Sequence, residues 1–539
     1  MNGHKGAGEA NGLSQHKMNG TNGKVNGLSD RSKSSDRRRE ASNGLSTSTS
    51  PSSRRESPAS AHSRKESNPL APPFIVSAPG KTIVYGEHAV VHGKAAIAAA
   101  ISLRSYLLCT TLSKSKRIVT LKFSDIGLDH TWHIHDLPWS TFQRSGKKRK
   151  YYDRVDSLDE ELRNAMKPHI ATVSPDVEHQ ARKIHQAAAS CFLYLFLSLG
   201  SESSPPCVYS MRSTIPIGQG LGSSASVSVC LAAALLLQCR ALSGPHPDQE
   251  SEEAAKQLQR INQWAFVGEL VIHGNPSGVD NTVATNGHAV LFQRKDYTQP
   301  PSVNILHDFP ELPLLLIDTR QPKATAAEVA KVGALKKKHP EVVERILDSI
   351  DAIVRSVYKT IENTDFDSSS AEADEAIAHL GEMMSVNHGL LTSLGVSHPR
   401  LERLRYLVDQ AGVGWTKLTG AGGGGCAITL LKPQPRATHG VDGDLNGEAA
   451  TASPPTTPSH EHGDRSLSSA LQDLEQQLED EGFDKYATTL GGDGVGVLYP
   501  AIINDEEIDQ EMFLTAEGRE GVHELVGGGQ SGAWKYWRP

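Results

Sequence analysis

From Phe74 onward, short apolar runs alternate with longer segments of helical patterning. This mixture predicts strands interleaved with helices. Phe74-Ile75-Val76 opens the series, and Ile83-Val84-Tyr85 continues a strand beyond an intervening turn. Ala95–Ile101 and Ser105–Thr111 read as two buried strands, and Cys207–Arg212, Leu312–Ile317 and Ala427–Leu431 as further short ones. Helices are expected around Glu178–Leu199, from Ala225 to about Leu237, and over Gln257–Ile272. A second helical series covers about Ala324–Leu335, Pro340–Asn363, Ser369–Leu391, His398–Ala411 and Ser466–Glu481. The run at Leu312 is read as the opening of a second domain.

Before about Leu70 the pattern is missing. Asn-Gly recurs six times without flanking apolar strands, and Ser, Arg and Asn dominate. Such a segment buries too little to offset its ordering entropy, so residues 1–70 are expected to be a disordered tail. Basic pairs precede Ser42, Ser57 and Ser67. They resemble sites for a basophilic protein kinase and read equally well as a solvated charge run; a phosphate there would add roughly −1.5 to −2 charge. A second Pro/Ser/Thr-rich stretch, about 433–464, is expected to be a disordered insertion. The resulting organisation is a tail (1–70), an N-terminal domain (72–310), a C-terminal domain (311–505) and an extension of unread structure (506–539).

Composition narrows the setting. Of the 539 residues 37% are hydrophobic and 5% aromatic, which suits a chain with long coreless segments. A net charge of −7 gives no general attraction to nucleic acid or acidic membranes. None of the six cysteines forms a CxxC pair, as expected for free thiols in a reducing compartment. The N-terminus has no apolar signal region, and the runs near Ala187–Leu199 and Ala225–Leu237 fall short of the ~20 residues of a membrane span. A cytoplasmic protein without a membrane span is expected.

The chemistry concentrates at Pro216-Ile217-Gly218-Gln219-Gly220-Leu221-Gly222-Ser223-Ser224-Ala225. Glycines at every second position let main-chain amides close on a phosphate, and the following helix adds unpaired N–H groups and a positive dipole end. The serine hydroxyls suit a phosphate oxygen or Mg²⁺. No lysine follows the last glycine, so this is not a Walker A loop, and the dinucleotide fingerprint fits poorly. Gly80-Lys81-Thr82 is a Walker decoy, because the first glycine of that pattern would fall at Ile75. Lys81, after Ser77-Ala78-Pro79-Gly80, is either a surface lysine or one that reaches a phosphate or a hydroxyl. Gly86-Glu87-His88 follows; His88 and His92 are four apart, but Glu87 stands on the wrong side for a zinc-protease helix. Glu269, and Asp280 after Gly274-Asn275-Pro276-Ser277-Gly278, supply two carboxylates, one for Mg²⁺ and one for a proton, or else a solvated helix face and an N-cap. Lys417-Leu418-Thr419-Gly420-Ala421 and four further glycines lead into an apolar strand, which favours close approach to a ligand over a linker.

Taken in order, the segments 77–81, 86–93, 216–225, 273–280 and 417–426 resemble those of the GHMP small-molecule kinases and, within them, the mevalonate kinase family. The resemblance spans about 74–432 and resumes from 466 to about 499. It implies an α+β, two-domain fold with a ribosomal-protein-S5-like N-terminal domain and a ferredoxin-like C-terminal one. It also implies transfer of the ATP γ-phosphoryl group to the C5 hydroxyl of (R)-mevalonate. On that resemblance Gly218, Gln219, Gly220, Leu221, Gly222, Ser223 and Ser224 hold the ATP phosphates, and Ser224 and Glu269 hold Mg²⁺. Asp280 takes the proton and Lys81 stabilises the alkoxide. Glu87, His88, Thr419 and Ala421 line the mevalonate side, and Ser213 and Asp125 match nucleotide contacts. A homodimer and inhibition by farnesyl or geranyl diphosphate at the anion cradle are implied too. Gln219 replaces a small residue common in that loop, and Asp125 stands where asparagine is common. Another GHMP member, such as a phosphomevalonate kinase or a galactokinase, is the enzymatic alternative; galactokinases typically have Gly-Arg-x-Asn where this chain has Ser77–Lys81. A ligand sensor without turnover would not need Lys81, Ser224, Glu269 and Asp280 together.

Overall fold

The computed structural model describes residues 71–144, 146–147, 149–296, 301–366, 370–433, 466–527 and 532–539. The expected tail, with Ser42, Ser57 and Ser67, and nearly all of the expected 433–464 insertion lie outside the described residues.

The N-terminal half opens with β1 (Phe74–Tyr85), β2 (Ala95–Thr111), β3 (Ile118–Phe123) and β4 (Leu128–His133). The turn expected within the first strand does not form, and the two strands expected at 95–101 and 105–111 are one. β1 passes through Pro79-Gly80 by a register shift against β2. The Lys81 amide donates to the Leu221 carbonyl at 2.8 Å, so this bulge is where the strand meets the glycine loop. β2 carries Arg104 mid-strand because its guanidinium is satisfied, donating to Ser77 Oγ at 2.6 Å and to the Asp493 carbonyl at 2.9 Å. The short α1 (Trp139–Phe142) and α2 (Glu160–Ala171) lead to α3 (His179–Leu199), β5 (Cys207–Ser213) and α4 (Ser223–Gln238). α5 (Ser251–His273), α6 (Val279–Asn286), β6 (Ala289–Gln293) and β7 (Ser302–Leu306) complete this half. One core joins Leu107, Phe192, Tyr209, Leu231 and Trp264. α4 is buried on nearly every side, which is why it is apolar all round rather than striped.

The C-terminal half runs β8 (Leu312–Asp318), α7 (Thr325–Lys338), α8 (Pro340–Asn363), α9 (Ala371–Ser393), α10 (Pro399–Ala411), β9 (Gly414–Leu418), β10 (Cys426–Leu431), α11 (Leu467–Asp480) and β11 (Asp484–Leu490). Its four strands are antiparallel in the order β11-β8-β10-β9. Leu490 of β11 pairs with Ile101 of β2, so the two halves share one thirteen-stranded sheet. They share a core as well: Tyr85, Ile97 and Ile101 pack with Leu314, Leu316 and Met384. The architecture is α+β.

β12 (Gly496–Leu498), expected in the C-terminal half, pairs with β1. Beyond it, β13 (Ile502–Ile503) and β14 (Glu506–Glu507) form a hairpin, followed by α12 (Gln510–Thr515), α13 (Gly518–Leu525) and β15 (Lys535–Tyr536), which pairs with β12. The extension covers the sheet face opposite α3–α5. Ile75, Tyr106 and Leu108 alternate with the residues of the main core and pack on Phe513, Val522 and Trp534. Among the described residues no helix is long and apolar enough to cross a membrane.

Gly381 in α9 lies against Trp415 of β9: an added Cβ would stand 2.1 Å from the indole. Alanine gains about 1 kcal/mol of helix propensity but forces the ring aside, at about 1–3 kcal/mol. Overpacking wins, and Gly381→Ala is expected to lower stability by up to about 2 kcal/mol, read as a lower Tm in thermal unfolding.

Candidate active site

The glycine loop lies between β5 and α4. Gly218, Gly220 and Gly222 have φ of 79°, 74° and 73°, the left-handed region that other residues enter at a cost. Gly222 has a second constraint, because a Cβ there would stand 2.9 Å from Lys81 Cγ. Leu221 is buried and anchors the loop, while Gln219 is half-buried. Gly222 caps α4 without a side-chain hydrogen bond, so the first amides of the helix, at Ser223, Ser224 and Ala225, are donors without intrahelical acceptors. This is the geometry of an anion cradle.

Lys81 joins the cradle to a carboxylate. Its Nζ lies 3.2 Å from Asp280 Oδ1 and donates to the Gly220 carbonyl at 3.3 Å. Lys81 is nearly buried, whereas the Asp280 side chain is 35% exposed and open to an incoming group. Asp280 sits in the first turn of α6, where the helix dipole favours its charge. On the neighbouring α5, Glu269 approaches Ser224: the serine hydroxyl lies 3.3 Å from Glu269 Oε2 and 3.1 Å from His273 Nε2. Burial, reinforced by the Asp280 charge, pushes the Glu269 pKa up to about 7. A hydroxyl and a carboxylate oxygen are hard donors of the kind Mg²⁺ takes, and a cation there would relieve the crowding of two carboxylates. Among the described residues no three His, Cys, Asp or Glu side chains converge on a metal, so an ion at Ser224 and Glu269 would draw its remaining ligands from phosphate and water.

The expected mevalonate side lies across the joint between the halves. His88, with φ 59°, contacts the Ala421 carbonyl through Nε2 at 2.9 Å. Thr419 donates to the Ile83 carbonyl at 2.8 Å, and its hydroxyl lies 2.9 Å from that of Thr82. Glu87 differs from the expectation of a substrate contact. Its carboxylate is fully buried, ion-paired with Lys417 of β9 and accepting from Asn387 Nδ2 at 3.0 Å. A group so enclosed holds the His88 turn to β9 and α9 instead of facing the cleft.

Ser213 and Asp125 are adjacent: Asp125 Oδ2 accepts from the Ser213 amide at 2.6 Å. The acid is matched by Arg212, whose Nε donates to Asp125 Oδ1 at 2.9 Å, so an aspartate is accommodated where asparagine is common. Sequence reasoning missed the role of Lys323. Its Nζ donates to the Gln219 carbonyl at 2.8 Å and lies where a Cβ on Gly425 would stand, linking both glycine-rich loops. Burial lowers its pKa, and the positive Lys81 adds to the effect.

An anion cradle, a lysine–carboxylate pair docked on it and a serine–glutamate pair beside it define a phosphoryl-transferring enzyme of the small-molecule kinase class. Residues 184–287 match the GHMP kinases N terminal domain, and residues 373–442 match GHMP kinases C terminal. The mevalonate kinase of Gibberella zeae is 59% identical over 488 residues, 88% of this chain and 89% of that protein. That of Saccharomyces cerevisiae is 41% identical, over 67% of this chain and 81% of its own; the Homo sapiens enzyme is 38% identical, over 68% and 87%. The crystal structure of the Methanococcus jannaschii mevalonate kinase superposes with a TM-score of 0.50 at 19% identity, over 77% of this chain and 98% of that one, a likeness of fold. The chain belongs to the mevalonate kinase family.

Proposed function

We propose that this protein transfers the γ-phosphoryl group of ATP to the C5 hydroxyl of (R)-mevalonate, giving 5-phosphomevalonate and ADP. The observation that carries the reading is the Lys81–Asp280 pair, 3.2 Å apart and seated on the Gly220 carbonyl of the cradle. The C5 oxygen forms a bond to the γ-phosphorus as the bond from that phosphorus to the β–γ bridging oxygen breaks. The hydroxyl proton passes to an Asp280 oxygen, late or in concert, because an alcohol is a far weaker acid than a carboxylic acid. Lys81 stabilises the oxyanion and meets the γ-phosphate, and the α4 amides hold the phosphate chain. Ser224 and Glu269 would hold Mg²⁺, which when bound neutralises charge on the β- and γ-phosphates.

A cavity of about 170 Å³ opens beside Asp280, lined by Ile83, Val90, Ala98, Val279 and Phe292. Ser277 and Arg294 also line it, beside the Asp280 carboxylate that would meet the substrate hydroxyl. The six cysteines are all free, which fits a cytoplasmic setting. A diphosphate ester of a prenyl alcohol fits the same cradle as the ATP phosphates, and is expected to compete with ATP. A homodimer is expected on the same family reading.

The test is a coupled ADP-release assay with mevalonate, phosphomevalonate and galactose; turnover with galactose and not with mevalonate would overturn the assignment. Lys323 supplies a further prediction. With its ammonium on the Gln219 carbonyl, Lys323→Met is expected to raise the KM for ATP by roughly tenfold while the protein stays folded, checked by steady-state kinetics and thermal unfolding.

A further inference from the structure

Arg212 is the penultimate residue of β5 and is 6% exposed. Its Nη1 donates to the carbonyls of Phe513, Leu514 and Ala516 at 3.2, 3.0 and 2.9 Å, and its Nη2 to that of Gly518 at 3.5 Å. The carbonyls of Phe513, Leu514 and Ala516 lie at the C-terminal end of α12, where a helix leaves acceptors unpaired and its dipole favours a cation, while Gly518 is the first residue of α13. The remaining edge of the guanidinium binds Asp125, and Asp125 in turn binds the Ser213 amide. The Ser213 hydroxyl is also engaged, 3.1 Å from that of Ser105 and accepting from the Ile215 amide at 3.2 Å. One buried arginine therefore ties the C-terminal extension to the main chain that enters the phosphate loop five residues later, at Gly218.

We propose that Arg212 is a positioning residue for the nucleotide. Through Asp125 it sets the Ser213 main chain from which the cradle departs, and it makes residues 513–518 part of the nucleotide side of the site. The inference rests on reading Ser213 to Ser224 as that side. The alternative is an arginine that only anchors the extension, and the two differ in what its loss changes.

The test is steady-state kinetics with both substrates varied, alongside thermal unfolding, on the full chain. Arg212→Met keeps the apolar stem and removes every donor. It is expected to raise the KM for ATP by roughly tenfold while the KM for mevalonate stays within about twofold; Arg212→Lys is expected to recover part of the loss. Val522→Ala loosens the apolar anchor of the extension at a residue that accepts nothing from the guanidinium. It is expected to lower the Tm and leave the KM for ATP within about twofold. The proposal falls if folded Arg212→Met keeps its KM for ATP, if both KM values rise together, or if Val522→Ala reproduces the ATP effect. Should Arg212→Met not fold, Arg212→Lys decides: its KM for ATP rises severalfold while that for mevalonate stays within about twofold, or the proposal is wrong. A separate variant, Gly222→Val, isolates the underlying reading. If it binds MgATP by titration calorimetry as tightly as the native protein, the cradle assignment fails whatever the arginine variants do.

Discussion

Replacing Asp280 by Asn is expected to lower kcat by about 10²–10⁴-fold, the range that a positioned proton acceptor contributes. Nucleotide affinity is expected to stay within about threefold, because the cradle amides, Ser224 and Glu269 are untouched. Asparagine preserves shape and one carbonyl oxygen toward Lys81, but offers no basic site for the hydroxyl proton. The partly exposed carboxylate beside a nearly buried ammonium is what makes the result specific. An aspartate that only capped α6 would yield little kinetic effect and a modest loss of stability. Kinetics with calorimetric ATP binding separate the outcomes, and near-native turnover in Asp280→Asn would remove it as the base.

Lys417→Met is expected to cost about 3–5 kcal/mol of stability, the penalty for stranding a buried charge. Lys417 and Glu87 are both fully enclosed, and burial pulls the lysine pKa down while the Glu87 charge opposes it. Surface ion pairs such as Lys256–Glu252 are worth a small fraction of this, since water replaces either partner. With methionine at 417, Glu87 retains only the Asn387 amide as a donor. The double variant Lys417→Met/Glu87→Gln is expected to recover much of the loss, because two neutral groups of similar shape need no counter-charge. Urea unfolding of the two variants checks this; equal destabilisation of single and double variants would count against the stranded-charge account.

What was legible in the sequence follows from how local each requirement is. The cradle was readable because three left-handed glycines at alternate positions and an uncapped helix start are demanded by adjacent residues. The buried strands β5, β8 and β10 announced themselves as apolar runs. β11 and β12 did not: Asp484–Leu490 is largely polar, and Gly496–Leu498 is three residues long, so only their partners β8 and β1 make them strands. β1 was read as interrupted because Pro-Gly normally ends a strand, whereas here a distant loop docks on the bulge. Lys323 and Arg212 were invisible for the same reason. Their partners lie 104 and some 300 residues away, and no local pattern encodes such approaches. Glu87 was recognisable as special, but the lysine that enclosed it came from across the joint.

The sheet order carries a consequence for biosynthesis. β1 and β2 leave the ribosome early, yet β12 and β11, which lie against them, are made after most of the chain. Until then the nascent polypeptide carries an open edge at β1 and bare Ile75, Tyr106 and Leu108, the kind of surface that invites aggregation. The sheet is therefore completed only when its last strands have been made, and a nascent polypeptide halted before β12 leaves that edge bare.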